Sequence, residues 1–298
     1  MIESTQPAGS VPPSAAVLAA FGAPGRPVPL PGGQGQTWRD GEVVLKPTGL
    51  AAETAWRAEV LTALPASPHF RVARPVRAAN GGWTAEGWEA WQYVAGRSEP
   101  GRPADVLRTA AAFHAALADV PRPGFLDTRE GPWSYAARVA WEESPLDDGG
   151  GGDAEVAALI AQLAAERRPF EPSGAPAPQV VHGDLLGNVL FADGLPPAVI
   201  DWPPYWYPVD WAAAVVVVDA LLWYGAGPAV LALGPAGDGC VPDPDAWAQL
   251  LVRALLFRLV TGAVLGPDAQ PRPYERAAVA AVRAYVAAGG QGLGMSKK

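Results

Sequence analysis

Four side chains between residues 182 and 201 have the types and the spacing to manage phosphate oxygens. His182, Asp184 and Asn188 stand just before an apolar run, Val189 to Phe191, and Asp201 stands just after a second one, Ala198 to Ile200. Between the runs, Ala192-Asp193-Gly194-Leu195-Pro196-Pro197 carries the Gly and Pro of a turn, so the whole reads as a β-hairpin. Pairing its strands brings the outer ends together, and two carboxylates and a carboxamide then converge. Hard oxygen donors of this kind suit Mg²⁺, which takes one or two carboxylates together with substrate phosphates and water. That is a phosphoryl-transfer site in outline. Any one of these residues could equally cap a turn or end a strand; the set, in this order and flanked by two strands, separates chemistry from packing.

The same residues carry a family likeness. His182-Gly183-Asp184-Leu185 with Asn188, followed by Ile200-Asp201-Trp202, resembles the catalytic and metal loops of the aminoglycoside phosphotransferase family, within the protein-kinase-like fold. The resemblance implies that Asp184 orients and deprotonates an acceptor hydroxyl, and that Asn188 and Asp201 hold Mg²⁺. The family usually places its Asp and Asn five positions apart, whereas Asp184 and Asn188 are four apart, so this loop is one residue short. The shortening keeps open a second reading, a nucleotide-binding pseudokinase without turnover. A metal hydrolase built on Asp184 and Asp201 is a third, disfavoured because no His-rich ligand set accompanies them.

Elements upstream must supply the nucleotide. Val28 to Pro47 reads as two strands around a glycine-rich turn with Gly32, Gly33 and Gly35, followed by Gly41 and then Glu42-Val43-Val44-Leu45-Lys46. Glycines let backbone amides approach an anion, and a turn between strands can fold over nucleotide phosphates. No Gly-Lys-Ser/Thr follows, which excludes a P-loop, and Trp38 falls where a third glycine of G-x-G-x-x-G would stand. Lys46 is the only lysine before the tail residues Lys297 and Lys298, in a chain that otherwise uses arginine. A compact ammonium on a flexible stem follows phosphate oxygens as a point charge, which the planar arginine fork does not.

By the resemblance, Lys46 pairs with the nucleotide phosphates and with a glutamate of the next helix, expected over residues 51 to 64. Glu59 is the preferred partner, because Glu-Val-Leu-Thr-Ala-Leu is similar to the family's glutamate and leucine pair; Glu53 is the alternative. Residues 69 to 78, 82 to 85 and 88 to 94 are expected as further strands of one small antiparallel sheet. Trp91-Gln92-Tyr93-Val94-Ala95-Gly96 resembles the family's hinge, which implies backbone contacts from Gln92 and Val94 to the adenine.

From Pro103 the apolar period changes to that of helices. Helices are expected over 104 to 120, 132 to 143, 154 to 168, 212 to 223, 246 to 265 and 274 to 288. His114 lies beside the apolar face of the first and is assigned no role. Residues 202 to 211, rich in Trp, Tyr and Pro, read equally as packed rings or as the wall of an acceptor site, since aromatic faces bind cations and sugars. Asp210 resembles the family's structural aspartate that opens the next helix, which implies a cap there. Strands first and helices after give an α+β fold of two lobes, residues 1–94 and 95–298, with a nucleotide expected in the cleft between them.

Composition bounds the partners. With 298 residues, 49% of them hydrophobic, the chain can bury a substantial core, and its net charge of −8 argues against nucleic acid and suits a cationic acceptor. One cysteine, Cys240, excludes an internal disulfide and fits a reducing compartment. No signal peptide is visible, and the most apolar stretch, Ala212 to Leu222, is too short to cross a bilayer, so cytoplasm and no membrane are the expectations. Together with these bounds, the family resemblance implies an ATP- or GTP-dependent, Mg²⁺-requiring transfer to a hydroxyl of a small molecule, an aminoglycoside, amino sugar or similar polar acceptor.

Overall fold

The Ser14 side chain accepts the Val17 N–H and so starts the first helix, α1 (Ala15–Ala20). In the computed structural model, residues 11–23, 25–31, 35–146, 154–170, 177–241, 243–266 and 272–290 are described. The chain divides into two compact units, residues 1–97 with 190–200, and residues 98–189 with 201–298. The boundary expected after residue 94 therefore falls at residue 97, and the hairpin assigned to the second lobe clusters with the first unit.

In the first unit, β1 (Val28–Pro29), β2 (Trp38–Asp40), β3 (Val43–Pro47), β5 (Thr84–Ala85) and β6 (Trp88–Gln92) form an antiparallel sheet in the order β1-β2-β3-β6-β5. Leu45 of β3 and Ala90 of β6 face each other and pack with Val17 and Leu18 of α1 and with Phe21 at its C-cap. Helix α2 (Ala51–Ala63) follows β3 and buries Thr54, Arg57, Ala58 and Leu61 along one face.

A second sheet, β4-β10-β9-β7, is made by β4 (Arg71–Val72), β7 (Arg97–Ser98), β9 (Val189–Ala192) and β10 (Leu195–Val199). This corrects two expectations. Residues 69 to 78 give only the two-residue β4, which pairs in parallel with β10 and lies outside the antiparallel sheet. Pro75 limits the rest to an isolated bridge opposite Trp91. The hairpin turn is also tighter than expected, since Pro196 and Pro197 belong to β10 and only Asp193-Gly194 turns, with Gly194 at φ +71°.

The second unit is helical: α3 (Pro103–Ala116), α4 (Pro132–Ala140), α5 (Ala154–Glu166), α6 (Val209–Tyr224), α7 (Pro244–Leu265) and α8 (Glu275–Ala287). Two strands absent from the sequence reading, β8 (Gln179–His182) and β11 (Pro204–Tyr207), pair antiparallel among these helices. Helices α6 and α7 bury residues on every face and pack on each other. By length and composition α7 could cross a membrane; here it is the buried central helix, with Arg253 and Arg258 inside.

Candidate active site

The β8–β11 ladder sets the position of the loop that follows β8. Its register pairs His182 with Pro204, and one step further the Gly183 N–H donates to Pro203 O at 3.3 Å. Asp184 therefore leaves the same end of the ladder at which Asp201 and Trp202 enter it. Gly183 has no room for a side chain: a Cβ there would lie 2.4 Å from Tyr205 Cδ2. Trp202 locks the crossing, with Nε1 donating to Val181 O at 3.2 Å and its ring edge-on to Phe113 at 5.5 Å.

Beyond the ladder, residues 185 to 188 make a tight turn in which the Asn188 N–H donates to Leu185 O at 2.9 Å. Gly187, at φ +101°, supplies the positive φ that the third position of such a turn requires. The turn folds the Asn188 amide back onto Asp184. Asn188 Nδ2 donates to Asp184 O at 2.7 Å and to Asp184 Oδ2 at 3.1 Å. A loop one residue short thus still brings the two side chains together.

On its other oxygen, Asp184 Oδ1 accepts from Arg258 Nη2 at 2.6 Å. Arg258 comes from α7, and its Nε and Nη2 also donate to the two oxygens of Asp219 on α6, at 2.7 and 2.6 Å. Arg258 and Asp219 are each 3% exposed in their side chains, while Asp184 is 46% exposed. Burial pushes Asp219 up to about 7 against the opposing pull of Arg258, and the two carboxylates outweigh burial to hold the guanidinium firmly charged. Nothing in the sequence pattern points to Arg258, because an arginine inside an apolar helix has no motif.

His114, assigned no role from sequence, faces the same segment. Its Nε2 accepts the His182 N–H at 3.0 Å, and His182 Nδ1 accepts the Asp184 N–H at 3.1 Å. Burial first, then the neighbouring His182, brings the His114 imidazole down to about 3, so it stays neutral and can accept.

Asp201 is exposed and holds φ +48°, a left-handed conformation that Asp tolerates better than most residues. Both amide hydrogens of Asn188 point at Asp184, which leaves Asn188 Oδ1 as the outward donor atom. One neutral amide oxygen and one exposed carboxylate are hard oxygen donors, and they fit Mg²⁺ in chemistry.

In the first unit, Lys46 Nζ lies 3.4 Å from Glu89 Oε1 on the neighbouring strand β6. Arg57 Nη2 donates to both Glu89 oxygens at 3.0 Å, Thr54 Oγ1 donates to Oε2, and Trp91 Nε1 donates to Oε1 at 2.9 Å. Burial alone would raise Glu89, but Arg57, Lys46, Thr54 and Trp91 together hold it below its ordinary value. Glu59 does not fill the role expected of it. It is exposed, on the side of α2 turned away from Thr54 and Arg57. Glu53, four residues before Arg57 and half-buried, lies on the face that carries Arg57.

Other expected nucleotide contacts are placed as follows. Gly33 lies outside the described residues, and Gly35 is half-buried with φ +71° in the β1–β2 connection. Gln92 ends β6 and donates its N–H to Arg74 O at 2.7 Å, which leaves its carbonyl for any adenine contact. Val94 follows β6 in irregular chain, half-buried.

The aromatic stretch after Asp201 is mainly packing. Tyr205, Tyr207 and Trp211 are buried against Trp141 and Phe257, with centroid distances of 4.9–5.8 Å. Asp210 does not cap α6 as expected; Pro208 is the N-cap, without a side-chain bond, and burial raises the Asp210 carboxyl. Tyr224, at the end of α6, presents an exposed ring beside the turn at residues 185 to 188, its oxygen 3.7 Å from where a Cβ on Gly187 would lie. Burial, then the charges of Asp219 and Asp184, raise its phenol.

The sequence profile described as the phosphotransferase enzyme family matches residues 28–207, more than half of the chain and all of the segments just described up to β11. The chain belongs to this phosphotransferase family. No curated protein matches the sequence. Among solved structures, the fold is shared with a microcompartment-associated aminopropanol kinase, at 18% identity over 89% of this chain and 93% of that one, TM-score 0.59. It is shared with a thermostable mutant of aminoglycoside phosphotransferase APH(4)-Ia in ternary complex with AMP-PNP and hygromycin B, at 16% identity, 93% and 99% coverage, TM-score 0.50. The choline kinase LicA from Streptococcus pneumoniae is similar at 11% identity, 87% and 94% coverage, TM-score 0.50. At these identities the likeness is one of fold. With its antiparallel-sheet N-terminal region and helical C-terminal region, this member of the phosphotransferase family has the protein-kinase-like fold of these kinases.

Proposed function

We propose that the protein transfers the γ-phosphoryl group of ATP or GTP to a hydroxyl of a small polar acceptor that also carries an amine. The observation that carries this reading is Asp184 itself: half-exposed, yet gripped on one oxygen by Arg258 and on the other by Asn188. A carboxylate held so firmly beside open space can orient a hydroxyl and take its proton as the bond to phosphorus forms. Phosphoryl transfer asks mainly for positioning and charge, which this arrangement supplies.

Asn188 Oδ1 and Asp201 are the groups that would hold Mg²⁺, which when bound neutralises charge on the phosphate oxygens. In the first unit, Lys46 binds phosphate oxygens while Glu89 Oε1, 3.4 Å from Nζ, holds its ammonium in place. The backbone after β6, at Gln92 and Val94, and the turn containing Gly35 supply the remaining nucleotide contacts. The short catalytic loop is no obstacle to turnover, because the turn at Gly187 returns Asn188 to Asp184.

An amine-bearing acceptor is supported by the neighbours, described as an aminopropanol kinase, a choline kinase and a hygromycin B complex. The overall charge of −8 points the same way. The test is ADP release from Mg-ATP across a panel of amino alcohols, choline, aminoglycosides, amino sugars and simple sugars. Acceptor-dependent release that Asp184→Asn lowers by about 10²-fold or more supports the reading. Release that ignores the acceptor and survives the substitution contradicts it.

A further inference from the structure

The Asp219–Arg258 pair is out of place in its surroundings. Asp219 interrupts the buried run Trp211 to Leu222 of α6, and Arg258 sits among buried Leu, Phe and Val of α7. Phe257 and Trp223 wall the guanidinium at 4.9 and 5.3 Å from their ring centroids. Two helices whose buried residues are mostly apolar gain little from such a pair. Removing two charges from water is costly, and an apolar pair of similar volume is often as stable or more so. Stability therefore does not account for it.

Geometry does. Asp219 takes Nε and one Nη2 hydrogen of Arg258, and this fixes the plane of the fork and aims the other Nη2 hydrogen at Asp184 Oδ1. A lysine could not make this three-point connection, since it lacks the planar set of donors. The cation is thus delivered from the protein interior to one oxygen of a carboxylate whose other oxygen is held by Asn188. With both edges fixed, the carboxylate cannot rotate, and its free lone pairs keep one direction.

On the proposed phosphotransfer reading, we infer that Arg258 is a positioning residue for the reaction. Clamped by Asp219, it sets the orientation of Asp184 toward the acceptor hydroxyl. Asp219 acts only through Arg258, and its contribution disappears when Arg258 is replaced.

The experiment uses the full chain, with ADP release from Mg-ATP as the probe. It is run with the acceptor turned over fastest in the panel and also with water as acceptor. Three variants are compared: Arg258→Lys, Arg258→Ala, and the paired Arg258→Met with Asp219→Leu, which removes both buried charges and guards against a folding defect. Melting temperature and the KM for ATP are measured beside kcat, and Asp184→Asn serves as the blank. The expected result is a kcat lower by roughly 10²-fold in the paired variant, as for a misplaced catalytic group, with melting temperature and nucleotide KM close to the parent. Arg258→Lys recovers part of the rate, and guanidinium ion at millimolar concentration recovers part of it in Arg258→Ala, which a packing role would not produce. A paired variant that melts normally and keeps the parent kcat overturns the assignment. So does a loss confined to the KM for ATP. If Asp184→Asn itself keeps the parent rate, the phosphotransfer reading fails and the assignment falls with it, an outcome distinct from failure of Arg258 alone.

Discussion

His182 hangs from His114: the backbone N–H of His182 donates at 3.0 Å to Nε2 of His114, 68 residues earlier in the chain. This bond ties α3 to the end of β8 immediately before Asp184, and it exists only while His114 is neutral. Burial, with His182 beside it, takes the imidazole from its ordinary 6.5 down to about 3. In that window the unfolded chain binds a proton that the native state refuses, so stability falls as pH falls. One such site contributes a slope of about 1.4 kcal/mol per pH unit. Unfolding at pH 7 and pH 5 should show this loss in the parent, and His114→Asn should lose less between the same two pH values. Identical pH dependence in the two proteins would contradict the role of this bond.

Gly183 is required by sterics alone. A Cβ there would sit 2.4 and 2.5 Å from two carbons of the buried Tyr205 ring. The ring, walled by Trp211 and Phe257, has nowhere to retreat. Gly183→Ala should therefore cost about 1–3 kcal/mol, the usual range for overpacking. A thermal melt that leaves the variant level with the parent would show that the β8–β11 ladder yields more easily than this packing allows.

Lys46 and Glu89 divide binding from stability. Lys46→Met removes a charge-assisted contact worth about 1.5–3 kcal/mol, so kcat/KM for ATP should fall roughly 10- to 100-fold. Glu89→Gln takes the buried carboxylate of Glu89 away from Arg57 and Lys46, and breaking a buried ion pair from one side costs about 3–5 kcal/mol. Because Glu89 is held below its ordinary value, its stabilisation is full above the unfolded carboxylate value and disappears as pH falls through the lowered one. Denaturant titrations of the two variants should separate cleanly; a stable Glu89→Gln would overturn this account of the network.

Much of this was legible in the sequence, and the parts that were not have physical reasons. Helix positions emerged from apolar period: the expected 51 to 64 and 246 to 265 correspond to Ala51–Ala63 and Pro244–Leu265. The block from His182 to Asp201 stood out because its polar residues flank apolar strands. Glu59 misled because resemblance favoured it, while the helical turn that carries Thr54 and Arg57 inward carries Glu59 outward. Glu89 was hidden because a partner across a strand pair has no fixed sequence offset. His114, Asp219 and Arg258 were hidden for a similar reason. Each is a polar residue in an apolar run, and only the packing of α3, α6 and α7 shows what they reach. Strand β11, and β8 that pairs with it, escaped notice because prolines argue against a strand interior, whereas Pro204 stands at the first position of β11.

The donor set at Asn188 and Asp201 predicts how metal and nucleotide support each other. Mg-ATP should raise the melting temperature of the parent by mass action. Asp201→Asn removes the carboxylate and should shift the Mg²⁺ concentration needed for that rise by about tenfold or more. ADP release is not needed for this readout, which makes it independent of the acceptor. An unchanged Mg²⁺ requirement would remove Asp201 from the metal site.

The central claim is that Asp184 directs transfer of phosphorus to an acceptor oxygen. Phosphorus NMR of Mg-ATP incubated with protein and the best acceptor of the panel tests it most directly. A new phosphomonoester resonance should grow in step with ADP for the parent protein and be absent over the same period for Asp184→Asn. ADP formed with inorganic phosphate alone from every acceptor, or the same phosphomonoester formed at the parent rate by Asp184→Asn, would contradict it.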